Sequence, residues 1–350
     1  MSELSRIDER FLVKEKIEKE GIRFYNADEA PFKVYGLIRD VDKYRRMPKE
    51  VAKTVSEGVY ALHANAAGGR VRFVTDSPYV AIRAKMDGIG KGSNGTMICS
   101  AGFDLYDGDE YISSYMPPLN IEDGFESIVE FEESKTRQIT INFPPFSNVC
   151  ELLIGLDENA CAKEAQPYKN EKPIVYYGSS ITQGGCASRP GMTYQSILSR
   201  RLGYDYINLG FSGSAKAEDE IIEYIKNLDM SIFFLDYDHN APTKEHLEKT
   251  HEKMFKAVRE NHKDIPIIIM SRPIYSLKKD EMARRDIIEN TYKNAVLSGD
   301  KNVYFIDGPA LTELCKNEGI VDGCHPTDFG FASMANAIEK LMRENDIKAI

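Results

Sequence analysis

Ile174–Thr182 reads Ile-Val-Tyr-Tyr-Gly-Ser-Ser-Ile-Thr, and its reading decides the fold. Four β-favouring residues with no polar face run into Gly178-Ser179-Ser180, and helical pattern follows soon after. A strand apolar on both faces is one buried within a parallel sheet. The glycine lets backbone approach closely where the chain turns. Open α/β sheets place their chemistry at the carboxyl ends of such strands, and Ser180 is the side chain presented there. A Gly-Ser-Ser turn is often only a turn, so its meaning depends on what lies downstream.

Downstream the pattern alternates. Helices are expected at 193–202, 218–227, 244–261, 281–298 and 329–344, with strands at 206–209, 231–235, 265–270 and 303–306 between them. Repeated β-α units of this length imply a doubly wound parallel sheet with helices on both faces. Upstream, a charged helix at 7–20 gives way to short alternating strands separated by turn signals. These fall at 71–75, 79–83, 96–105, 110–116, 127–131, 138–143 and 149–154. They predict an all-β sandwich of jelly-roll type. A polar stretch at 161–172 separates the patterns, giving a sandwich domain over 1–170 and an α/β domain over 173–350.

The chain has 350 residues and a net charge of −10, which argues against nucleic acid or an anionic membrane as partner. No run of about 18 apolar residues exists to span a bilayer. The charged N-terminus lacks the apolar region of a secretory leader, and the expectation is a cytoplasmic protein. Six cysteines, at 99, 150, 161, 186, 315 and 324, show no zinc-ligand spacing and read as free thiols of a reducing compartment. No cofactor or metal is expected, and oligomeric state is not legible.

Polar residues collect in loops that follow successive strands. Asn208-Leu-Gly-Phe-Ser-Gly213 lacks a phosphate-loop pattern, and the better use of Gly213 is an N–H donated to an oxyanion. Asp236-Tyr-Asp-His-Asn240 ends a very apolar strand, and Asn240 can donate its side-chain amide. In Asp322-Gly-Cys-His325 the carboxylate can meet Nδ1–H of the imidazole, leaving Nε2 to face a nucleophile. His239 is a rival base, but no carboxylate spacing orients it. Cys324, adjacent to His325, points away from it in extended chain. The serine also lacks the Gly-x-Ser-x-Gly elbow of α/β-hydrolases.

In this order the blocks resemble those of the SGNH (GDSL-like) hydrolases over residues 173–345. Ser180 matches the family nucleophile, Gly213 and Asn240 its second and third blocks, and Asp322 with His325 its last. The usual Gly-Asp-Ser is here Gly178-Ser179-Ser180, and Asp238-His-Asn240 replaces Gly-x-Asn-Asp. Gly102-Phe-Asp-Leu-Tyr106 resembles the Gly-x-Asp-Leu-Tyr motif of a sandwich domain preceding some of these esterases. The resemblance implies a serine ester hydrolase with the triad Ser180, His325 and Asp322, and an oxyanion hole of Ser180, Gly213 and Asn240. Its expected substrate is a small acylated compound, such as an acetylated sugar or oligosaccharide. Acyl transfer by the same triad, or a non-catalytic carbohydrate-binding protein, are the alternatives. The turn-rich loop Cys186–Tyr194 is expected over the catalytic edge, with the sandwich docked against it and Arg189 bonding a substrate oxygen.

Overall fold

The computed structural model describes residue 13 and residues 16–349. Most of the expected opening helix lies outside them, and residues 16–20 are not helical. In the carboxyl-terminal half, five strands form one parallel sheet: β1 (Ile174–Gly178), β2 (Tyr206–Gly210), β3 (Ile232–Asp236), β4 (Ile267–Met270) and β5 (Val303–Ile306). Their order is β2-β1-β3-β4-β5, so the strand order reverses beside β1, where ligands of doubly wound sheets bind. Val175 and Tyr177 of β1 enter one apolar core, whereas Ile174 and Tyr176 enter another on the opposite face. This is why no residue of the strand is polar.

The connecting helices are α1 (Tyr194–Leu202), α2 (Asp219–Lys226), α3 (Lys244–Asn261), α4 (Lys279–Leu297) and α5 (Asp328–Glu344). In α3, Leu247, Met254, Phe255 and Val258 recur at helical spacing and are buried, and the Thr243 hydroxyl caps the start by accepting from the His246 N–H. Thr327 caps α5 in the same way, immediately after His325-Pro326. The loop bearing Asp322 and His325 is therefore fixed at one end by a helix.

The amino-terminal half is a sandwich of two antiparallel sheets. One runs in the order 22–26, 148–157, 79–87 and 124–130. The other runs 162–163, 70–75, 137–142, 103–107 and 110–115, with 33–35 also paired to 70–75. Val71, Phe73, Ile139 and Ile141 of one sheet share a core with Val80, Ile82, Leu152 and Ile154 of the other. Two departures from the sequence reading matter. Met97–Ala101 is a helix, where a strand was expected from 96, because the Thr96 hydroxyl accepts the Cys99 N–H as a cap. Lys49–Val55 and Glu57–Leu62 are also helical, and Ala52, Val55 and Val59 belong to a core of the parallel sheet.

Candidate active site

At the end of β1 the backbone packs too tightly for a side chain. A Cβ on Gly178 would collide with Thr182 Oγ1 and the Asp236 carbonyl. The chain then turns directly into a short helix, Ser180–Gln183, whose start is capped by Ser179 Oγ accepting from the Ile181 N–H at 3.2 Å. Ser179, standing where the family motif has aspartate, thus supplies a local acceptor. Ser180 is the first helical residue, half-buried, with its hydroxyl projecting from the sheet edge.

The loop from Val321 to His325 closes on itself, the Val321 N–H donating to the His325 carbonyl at 2.9 Å, with Gly323 in the left-handed region (φ 80°). That closure turns Asp322 back on His325. Asp322 Oδ1 accepts the backbone N–H groups of Cys324 (3.1 Å) and His325 (2.8 Å), and Oδ2 lies 2.8 Å from His325 Nδ1. A carboxylate only accepts, so Nδ1 carries the ring proton and Nε2 accepts from the Ser180 hydroxyl at 2.8 Å. Burial would raise the Asp322 pKa, but the bonds from His325 and Asn94 outweigh it and hold the carboxyl far below the usual range.

Three donors belong to residues that line the same cavity as this relay. The N–H of Ser180, the N–H of Gly213 and the Asn240 side-chain amide have no acceptor among the described residues. Gly213 has φ 68°, which suits glycine, and a Cβ there would meet nothing within 4 Å. Asn240 is oriented by its Oδ1, which accepts from the Ala215 N–H at 3.3 Å, so its NH₂ is free. The second block is held to the first by Gln183, whose Oε1 accepts from Ser212 N–H (3.0 Å) and Oγ (2.8 Å). The third block is anchored by Asp238, buried between Arg272 (3.0 Å) and Arg284 (2.8 Å). Those two arginines lie outside every motif, 34 and 46 positions from Asp238, so no local spacing pairs them with it.

Ser180, Gly213, Asn240 and His325 line one cavity of about 710 Å³. The sandwich half supplies much of its wall, through Leu62, Asn65, Lys91, Asn94, Ser100 and Phe146. The expected docking of the two halves over the catalytic edge is therefore present. Arg189 requires a correction: it does not line the cavity. Its guanidinium meets Asp104 Oδ2 at 3.1 Å, bonds the Tyr106 hydroxyl and stacks 3.8 Å over Tyr111. The reason is that Asp104 is fully buried and needs a cation. The Asp-Leu-Tyr motif is thus a clasp between halves.

His239 also lines the cavity, but burial and the nearby Arg272 charge push its pKa down to about 3, and its Nδ1 faces only Cys324 Sγ at 3.5 Å. Burial and Asp322 push the Cys186 thiol up to about 11 and raise that of Cys324, so neither is a ready thiolate. Cys186, Asp322 and His325 bring ligand atoms within 4.8 Å of one another.

Residues 171–343 match the GDSL-like Lipase/Acylhydrolase family, and residues 22–161 match the family described as the N-terminus of Esterase_SGNH_hydro-type. No curated protein matches the sequence. Among solved structures, a GDSL-like protein of Bacteroides ovatus superposes with a TM-score of 0.83 at 27% identity, covering 93% of this chain and 99% of its own. A salicylyl-acyltransferase from a tetracycline biosynthetic pathway gives 0.76 at 19% identity, covering 95% of this chain and 100% of its own. A family two carbohydrate esterase of Cellvibrio japonicus gives 0.62 at 13%, covering 93% and 98%. The last two are likenesses of fold.

Proposed function

The chain belongs to the SGNH (GDSL-like) hydrolases, with the GxDLY-type sandwich domain at its amino-terminal end, and we propose that it is a serine ester hydrolase. The observation that carries this reading is the continuous relay from Ser180 Oγ through His325 to Asp322, both links at 2.8 Å, facing a cavity with three free donors. Ser180 Oγ attacks the acyl carbonyl as its proton passes to His325 Nε2. Asp322 keeps Nδ1–H in place and stabilises the imidazolium. The Ser180 and Gly213 N–H groups and the Asn240 amide receive the oxyanion. The imidazolium then protonates the departing alcohol, and water enters by the reverse path to release the acid and restore Ser180.

The cavity size suits a small acylated molecule, and Phe146 is the one Phe, Tyr or Trp among its lining residues, so it offers no platform for a long polysaccharide. We infer a short acyl ester, taking as its alcohol a sugar or short oligosaccharide, by analogy with the carbohydrate esterases whose fold it shares. The test is intact-mass analysis after a fluorophosphonate, run beside hydrolysis of p-nitrophenyl acetate and acetylated oligosaccharides. One adduct on the Ser180 peptide is expected. An adduct elsewhere, or ester turnover with no adduct, would reject the assignment.

A further inference from the structure

Asp322 accepts four hydrogen bonds, and three of them come from its own loop: two backbone N–H groups and the His325 ring. The fourth crosses 228 positions of chain. Asn94 Nδ2, on the sandwich half, donates to Asp322 Oδ2 at 2.8 Å, on the same oxygen that faces His325. Because a carboxylate cannot donate, the amide must present its NH₂ group there.

The segment that delivers Asn94 is Gly88-Ile-Gly-Lys-Gly-Ser-Asn-Gly95, and it is a built strap. Gly88 is in the left-handed region, and a Cβ on Gly90 would collide with the Phe146 carbonyl. Ile89 packs on the sandwich core, and the Gly90 N–H donates to Ser147 Oγ at 3.2 Å. Beyond Asn94, the Thr96 hydroxyl donates to the Ser188 carbonyl at 2.5 Å, and Cys99 Sγ to the Gly184 carbonyl at 3.7 Å. The strap is therefore pinned to the sandwich before Asn94 and to the segment following the nucleophile after it.

We propose that Asn94 is a positioning residue for Asp322, so that the sandwich domain completes the charge relay of the catalytic domain. This rests on the roles proposed above for Ser180, His325 and Asp322. The Asp322 side chain is 31% exposed, and its other three bonds all move with its own loop. Asn94 ties the carboxylate to a second body and stands on a side that water would otherwise occupy. The base is then aligned only while the two halves are docked.

The titratable groups near His325 are Asp322 and Cys324 of its own loop, Cys186 and His239, and Lys91 of the strap lines the same cavity. None changes in the test variants. Asn94→Ala should lower kcat on p-nitrophenyl acetate about fivefold to tenfold, with KM within about twofold of wild type. Its melting temperature should be unchanged, because Asn94 is exposed. Asn94→Asp cannot donate and adds a negative charge. In Asn94→Ala and Asn94→Asp alike, the downfield proton NMR signal of the His325 Nδ1–H, which reports its bond to Asp322, should move or broaden from its wild-type form. Wild-type kcat in Asn94→Ala overturns the inference. An Nδ1–H signal unchanged from wild type in both variants overturns it independently, whether or not the ester is a substrate. A wild-type protein that takes no fluorophosphonate on Ser180 rejects the proposed function instead, and the His325 Nδ1–H signal still decides the role of Asn94.

Discussion

Two histidines line the cavity, and their surroundings assign them different work. His325 is bonded on both ring nitrogens, to a carboxylate on one side and to a serine hydroxyl on the other. His239 is half-buried and neutral, and its inaccessible Nε2 is without a partner among the described residues. His325→Ala is expected to reduce kcat/KM about 10⁶-fold, the order seen when a triad base is lost, whereas His239→Gln should stay within about tenfold of wild type. Steady-state kinetics on one soluble ester decides between them, and the reverse ranking would move the base to the third block. The pairing of Asp322 with His325 was legible because both residues share one short loop, so spacing alone constrains their contact. Arg189 was misread for the complementary reason. Its partner, Asp104, lies 85 positions away, and no local pattern announces that a buried carboxylate will claim it. Asn94 is invisible in the same sense.

The strand ends carry a second kind of information. β3 finishes at Asp236, which is buried, accepts from the Thr182 hydroxyl (2.9 Å) and the Tyr194 hydroxyl (3.3 Å), and has its pKa pushed up to about 7 by burial. A carboxyl whose folded pKa is raised binds more protons folded than unfolded between about pH 4 and 7, so its contribution to stability declines as pH rises through that window. Asn at 236 can accept the same two hydroxyls without ever ionising. Asp236→Asn should therefore melt near the wild-type temperature at pH 4–5 and above it at pH 8. Thermal melts of both proteins across that range check the sign, and a variant less stable than wild type at pH 8 would refute it. His251 acts oppositely: burial pushes its pKa down to about 4, so the unfolded chain takes up its proton first and stability falls as pH drops below about 6.5. The parallel strands were readable because both faces are apolar, and α3 and β5 fall at the expected residues. The strands at 22–26 and 33–35 were not, because they are short and only partly buried, which leaves little alternation to detect.

The two halves are joined by more than a linker. β2 is an edge strand of the parallel sheet, and its outward carbonyls are taken by arginines of the sandwich half. Arg46 donates to the carbonyls of Asn208 and Gly210, and Arg70 donates to that of Tyr206 while pairing with Asp205. An uncovered edge of this kind invites pairing between chains. The Asp104–Arg189 clasp adds a buried charge pair between the halves, and removing one partner of such a pair costs about 3–5 kcal/mol. Arg189→Met should thus destabilise the whole protein, and Asp104→Asn combined with it should recover part of the loss, as denaturant unfolding would record. The same contacts predict the behaviour of the catalytic half alone. A fragment beginning at Asn170 would lose the cover of β2, the core residues Ala52, Val55 and Val59, the Leu62 and Phe146 wall of the cavity, and Asn94. It should aggregate on expression or after refolding, and any soluble fraction should show a kcat/KM well below that of the full chain. Light scattering and ester kinetics measure both. A monomeric fragment with full activity would mean that the sandwich is a passive attachment and that the shared cavity has no catalytic consequence.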